Sequence, residues 1–320
     1  MRRNLKVDGR IAELPRCGHS PPRGLVRSPA ATWHESTDAK PEDAMHWLVT
    51  DETNKTAAEG DFFIYGGLVL TDAQVKVMHQ ALNEIRLRYG YLPADDFKFQ
   101  ARSRPPHVSP EKALEAKAAA LAAANEAGVR MIVYVIHHGI ASGGGPERTI
   151  RFAINSVVSA FHRLLAAEDA MGLVLVDRMD EKYAYPHLKQ LFQHGLLLNT
   201  GTTISLGDRI VQYGMSSNNT SHISSLVDIA LGAFRYCVNT AGGKGNDNAA
   251  QKMFPILAQL MWGREVNGEK RVGGLGYIAR PKDISAPLYQ SEYSLLASRL
   301  SAFAADPTEA REATEDPDPA

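Results

Sequence analysis

Carboxylates at the ends of apolar runs carry the chemistry this sequence offers. The run His46-Trp47-Leu48-Val49-Thr50 ends in Asp51-Glu52, and a second run, Gly172-Leu173-Val174-Leu175-Val176, delivers Asp177 at its last position. A lone acid, Asp228, stands among Leu226, Val227, Ile229, Ala230 and Leu231. Burying a carboxylate unpaired is costly, so a metal ion or a catalytic role is the functional reading of Asp228. The plain alternative is an Asp on the solvent face, or one paired with Arg235 two turns on. A fourth element, Asp95-Asp96-Phe97-Lys98-Phe99, makes Asp96 a candidate with Asp95 as its competitor. Carboxylates meeting at one point suit a hard cation with oxygen ligands, Mg2+ or Mn2+. Asp51, Asp177 and Asp228 are the expected ligands, with Asp96 or Glu52 assisting. Two such ions about 3.5–4 Å apart would activate a water and stabilise the leaving oxygen in phosphoryl transfer.

Other residues carry less. Lys98 is placed to meet a phosphate, although an exposed Lys more often only solubilises. His222, near the start of the Asp228 segment, ranks above His137-His138. Adjacent residues of a strand face opposite ways, so at most one of that pair could enter a site. Gly143-Gly144-Gly145 lacks the Lys-Ser/Thr of a phosphate-binding loop and reads as a flexible connection. With neither a Gly-x-Ser-x-Gly elbow nor a dinucleotide fingerprint, serine hydrolase and Rossmann dehydrogenase readings are poor.

The elements that must position these acids alternate. The strand at 46–51 and the run Asp61–Leu70 are only a short loop apart, too close for a helical crossover, so they should pair antiparallel. Thr71 then caps a helix with the stripe Val75, Met78, Leu82, Ile85 and Leu87. Ser109-Pro110 opens an alanine-rich helix that runs to Gly128. A strand at 129–136, a helix at 147–169, the strand at 172–177 and a helix at 182–198 interrupted at Pro186 follow. The pattern closes with a last strand at 209–215 and helices at 221–238 and 249–262, while 265–290 holds a small hairpin or extended segment. This order predicts an α/β fold, a mixed sheet with helices on both faces. Its expected divisions are a disordered basic arm over 1–42, an α/β domain over 43–240, a helical C-terminal extension over 241–303 packed on it, and a disordered acidic tail over 304–320.

The chain has 320 residues, with Lys+Arg 35 against Asp+Glu 36 and a formal net charge of -1. That balance gives no overall reason for tight nonspecific binding to nucleic acid, although a local basic groove is compatible with it. The two cysteines, Cys17 and Cys237, lack ligand-spaced partners, which argues against a disulfide framework or thiolate zinc site. No apolar run approaches the ~20 residues a membrane span needs. The first residues lack the apolar core of a secretory signal, so the expectation is a cytoplasmic protein with no membrane partner.

In order, these motifs resemble those of the DUF3800 family. Such proteins open with a strand ending Asp-Glu-Ser-Gly, matched by Asp51-Glu52-Thr53, and a Gly/Val-rich strand, matched by Gly66-Gly67-Leu68-Val69. An acid-Phe-Lys element and a strand ending in Asp are matched by Asp96-Phe97-Lys98 and Asp177. A closing Gln-Leu-Ala-Asp-Leu-Ile-Ala-Gly helix is matched by Ser225-Leu226-Val227-Asp228-Ile229-Ala230-Leu231-Gly232. Thr53-Asn54 replaces Ser-Gly, and Ser225 and Val227 replace Gln and Ala; no acid is lost. The resemblance covers 46–240 and implies an RNase H-like fold and a metal-dependent nuclease acting on DNA or RNA. The rivals are an RNase H-like binding or regulatory module of a mobile-element or phage-defence system that has lost the chemistry, and a metal-dependent phosphatase of a small substrate. Fold alone does not decide among them.

Overall fold

The two acids after Thr50 lie in the last three residues of a strand whose residues alternate between the two faces of a sheet. In the computed structural model, which describes residues 44–178, 181–197, 201–217 and 220–304, that strand is β1, Met45–Thr53. All described residues belong to one compact unit, Lys40–Ala320. The basic arm expected over 1–42 and the acidic tail, apart from Ala304, lie outside the described residues.

From β1 the chain returns antiparallel as β2, Phe62–Thr71, as the short connection required. The β2 residues Gly66 and Gly67 lie opposite Asp51 and Thr50. A Cβ at Gly67 would collide with the Val49 carbonyl, so glycine permits the close approach of the two strands there. Thr71 caps α1, Asp72–Arg88, in a reciprocal capping box with Gln74. Met78, Leu82 and Ile85 of the expected stripe are buried, but Leu87 faces solvent. Ser109 caps α2, Pro110–Glu126, which leads into β3, Arg130–His137, antiparallel to β2.

A single helical turn, α3, His138–Ala141, and a 3-10 turn at 142–144 replace the flexible Gly connection and lead into the long α4, Gly145–Glu168. The strand β4, Met171–Asp177, lies parallel to β1. It is followed by α5, Glu181–His194, which is continuous through Pro186 and ends at Gly195, earlier than expected. The short β5, Leu196–Leu197, pairs with β6, Thr203–Ile204, and β7, Ile210–Ser216, runs parallel to β4.

Ser221 caps the largely buried α6, His222–Ala241, and α7, Asp247–Leu260, follows. The stretch expected as a helical extension is not purely helical. Strands β8, Arg264–Val266, and β9, Glu269–Arg271, form a small ribbon with Asn267-Gly268, both at positive φ, at its turn. Strand β10, Tyr277–Arg280, then joins the main sheet beside β3, so 209–215 does not contain its last strand; α8, Pro287–Ala304, closes the described chain.

The mixed six-stranded sheet has the order β10-β3-β2-β1-β4-β7. One face carries Val49, Leu68 and Val133 against α1, α2, α6, α7 and α8; the other carries Leu48, Val69 and Val174 against α4 and α5. No described helix is long and apolar enough to cross a membrane.

Candidate metal centre

Asp51 and Asp177 occupy equivalent positions on neighbouring parallel strands. Pairing of β1 with β4 ends at Val49 and Leu175, and each acid lies two residues beyond, on the face covered by α6. Two-residue periodicity sends Glu52 toward the opposite face. Ligand oxygens of Asp51, Glu52 and Asp177 nevertheless all lie within 4.8 Å of one another at the strand ends. The Glu52 amide donates to Asp51 Oδ1 at 2.7 Å. Just before the acids, the Thr50 hydroxyl lies 2.7 Å from Tyr65 Oη and donates to Leu175 O at 3.4 Å, tying β1 to both neighbours.

Charges this close resist coexistence. At an effective dielectric near 20, two carboxylates at such a separation repel by roughly 3–4 kcal/mol. Burial first, then Asp177 and Glu52, push the Asp51 carboxyl up to about 8, and Asp228 adds to the same effect. Glu52 is buried; its Oε1 meets Lys55 Nζ at 2.5 Å, and its Oε2 has no hydrogen-bond partner. Burial works against the Lys55 charge, yet Glu52, Asp51 and Asp177 outweigh it and raise the ammonium above its ordinary value. An orphaned buried oxygen beside two further carboxylates is a donor set that fits a hard divalent cation.

Asp228 lies on α6, close enough for its charge to be felt at Asp51 but outside the three-residue group. It is half-buried rather than on a solvent face. Its Oδ2 accepts the Phe99 amide at 2.7 Å, and burial raises its pKa against the opposing pull of that amide, Lys98, Arg235 and Lys117. Thus the expected three-acid set converges in part: Asp51 and Asp177 meet with Glu52, and Asp228 stands beside them. The segment containing Phe97 and Phe99 crosses α6 at this point. Phe97 is buried against Tyr91, and Phe99 rests on Gly232, where a Cβ would collide with it. Lys98 consequently sits near Asp228. Asp96 is exposed and outside the three-residue group, while Asp95 accepts from the Leu92 amide at 2.6 Å and contacts His107, a structural role.

His222 packs against His79, the rings tilted by 46° with centroids 4.9 Å apart, at the start of α6 and outside the carboxylate group. His137 packs against Phe62 and Tyr289 and pairs with Glu292, whereas His138 Nε2 lies 2.9 Å from Asn54 O in the β1–β2 connection. Lys55 and Lys117 are the residues sequence reading missed. Lone lysines carry no spacing signal, although Lys55 follows the Asp51-Glu52 pair closely enough to have been suspected.

Comparison of the chain with protein-family models, curated proteins and solved structures finds no match.

Proposed function

We propose that this protein is a divalent-metal-dependent nuclease with an RNase H-like fold. The observation that carries the reading is the convergence of Asp51, Glu52 and Asp177 at the ends of adjacent strands, with Glu52 Oε2 buried and unpartnered. Strands β3-β2-β1-β4-β7 form an antiparallel meander continued by two strands parallel to β1. An RNase H-like sheet would have an order of this kind, which supports both this reading of the fold and the resemblance to the DUF3800 family.

Asp51, Glu52 and Asp177 would hold Mg2+ or Mn2+, with Asp228 completing the negative surround from α6. When bound, the ion supplies a polarised water and neutralises charge developing on a phosphodiester. The chain's own part is to place the acids before substrate arrives. Thr50 and Tyr65 fix the strand that bears Asp51 and Glu52, and burial holds the Tyr65 phenol protonated, above its ordinary range. The Phe99 amide orients Asp228, and Lys55 and Lys98 place positive charge at the rim, where a phosphate would be drawn in.

The test is cleavage of single- and double-stranded DNA, RNA and an RNA–DNA hybrid with Mg2+, Mn2+ or EDTA. Asp177→Ala protein, purified identically, runs beside the native chain. The native protein should cut in a metal-dependent way, and Asp177→Ala should cut two orders of magnitude or more slower, about the loss of one preorganised electrostatic group. Equal cutting by both proteins, or none by well-folded native protein, refutes the nuclease reading.

A further inference from the structure

On the face of the sheet opposite α6, the helix α4 carries a stripe of unneutralised basic and polar residues. Arg148, Phe152, Asn155, Ser156, Ser159 and Arg163 recur at the three- and four-residue spacing that puts side chains on one face of a helix. They line a cleft of about 600 Å³, closed on its other side by Arg280 at the end of β10. No carboxylate lines this cleft, and none pairs with Arg148, Arg163 or Arg280, among the described residues. The acids of α4 are engaged elsewhere: Glu147 with Arg151 at 2.7 Å, and Glu168 with Arg130 and His46.

Arg163 and Arg280 stand close together with no carboxylate paired to either among the described residues. Burial, together with the charges of Arg280 and Arg264, holds Arg163 below its ordinary value. Asn155 Oδ1 is buried without a partner beside the same cleft. Phe152 is 46% exposed, an aromatic face with Arg148 over it at 5.4 Å. A second hollow of about 520 Å³ shares Ala141 and Thr149 with the cleft and is lined also by Lys55, the residue that contacts Glu52. It also contains Gly145 at the start of α4, where the helix dipole is positive.

We propose that the two hollows form the path of a single-stranded nucleic acid running from the carboxylate cluster along α4 to Arg163 and Arg280. The inference rests on the nuclease reading and adds to it a substrate class. From Arg148 to Arg163 the helix covers about 22 Å, room for several nucleotides and far more than one phosphate needs. Cations along a groove track the backbone, and an exposed aromatic offers a base a sequence-tolerant stacking face. The near-neutral net charge does not oppose this, because attraction of a strand depends on the local patch within a Debye length.

The experiment is fluorescence anisotropy of a fluorescein-labelled oligothymidylate with the full chain in EDTA, where cutting is suppressed. Arg148→Glu/Arg163→Glu protein should bind about tenfold or more weakly, and the slope of log affinity on log salt should fall by about 0.7 for each arginine that no longer meets a phosphate. The Arg148→Gln/Arg163→Gln pair, checked by circular dichroism, keeps the test valid if charge reversal disturbs folding. Phe152→Ala should weaken binding without changing the salt slope. Equal binding by native and both arginine pairs overturns the path. A mononucleotide that competes as well as the oligomer also overturns it, making the cleft a single-nucleotide site. Arginine-dependent binding by a native protein that cuts nothing sustains the path while the nuclease reading falls.

Discussion

Asp51 is opposed in its ionised form by burial, Asp177, Glu52 and Asp228, and this fixes how the metal-free protein should respond to pH. An unfolded Asp titrates near 3.8, and in the fold this one is pushed up to about 8. Between those values folding takes up a proton, so the contribution is full below the unfolded value and is lost as pH rises through the folded one. His138, His187 and His222, all held below 6.5 principally by burial, act in the opposite sense as their unfolded forms lose the proton around that pH. Asp51→Asn shares these histidines, so the Asp51 effect is the difference between the two proteins between about pH 6.5 and 8. Relative to Asp51→Asn, metal-free native protein should lose on the order of a few °C of melting temperature across that window. Mg2+ or Mn2+ should raise the native melting temperature more at pH 8 than at 6.5. Parallel pH slopes for the two proteins, measured by calorimetry, would remove the electrostatic account of the cluster. At this scale the sequence was informative where chemistry follows position: an acid ending an apolar run reads as a strand-end acid, which Asp177 is, whereas β1 continues to Thr53 and Asp51 lies just beyond the end of its pairing with β4. Lys117 was not legible, because its place near Asp228 comes from folding of a distant helix over Phe99, whose carbonyl it contacts at 2.8 Å.

Helix α6 shows how one element can serve core and site together. Its sequence is apolar nearly all round, which reads correctly as a buried helix, and Asp228 is the exception that marks the site. What periodicity could not reveal is the strap over it. Asp228 takes the Phe99 amide, and one turn later Gly232 leaves room for the Phe99 side chain. The glycine of the motif is thus a packing device for the residue that orients the acid. Alanine at 232 gains about 1 kcal/mol of helix propensity, but its Cβ would strike the Cβ and ring root of Phe99, which cannot swing aside like the tip of a long chain. Overpacking of this kind costs about 1–3 kcal/mol and should prevail. Gly232→Ala should unfold at lower urea and bind Mn2+ more weakly, because Asp228 loses its fixed donor; unchanged values in both would separate the strap from the site. The missed strand β10 has a related cause. Four residues, Tyr277-Ile278-Ala279-Arg280, are too few for alternation to register, and their strand state is set by the open edge of β3.

Across the whole molecule, the segment after Ala241 is bound into the fold by both faces of the sheet. Phe254, Leu257 and Leu260 of α7 and Leu296, Leu300 and Phe303 of α8 share one core with Ile64, Leu68 and Val133 of the central strands. Trp262 and Ile278 are buried in the other core, with Tyr134 and Val158. Backbone joins them as well: the Trp262 amide donates to Met131 O at 2.9 Å, and Gly276 O accepts from Val133 at 2.8 Å. The sequence placed a boundary at 240 because the carboxylate motifs end there, yet motif extent follows chemistry whereas a domain boundary follows contacts. A chain cut after Ala241 would expose the edge of β3 and leave the α6 face half-covered, combining an unpaired strand with a broad apolar surface. That truncated chain should be insoluble or molten, with near-ultraviolet circular dichroism lost. Limited proteolysis of the full chain should instead leave a resistant fragment that retains α7, β10 and α8. A soluble, cooperatively melting 44–241 fragment would show that the later segment is an accessory; the shared cores argue that it is part of the domain holding the acids in place.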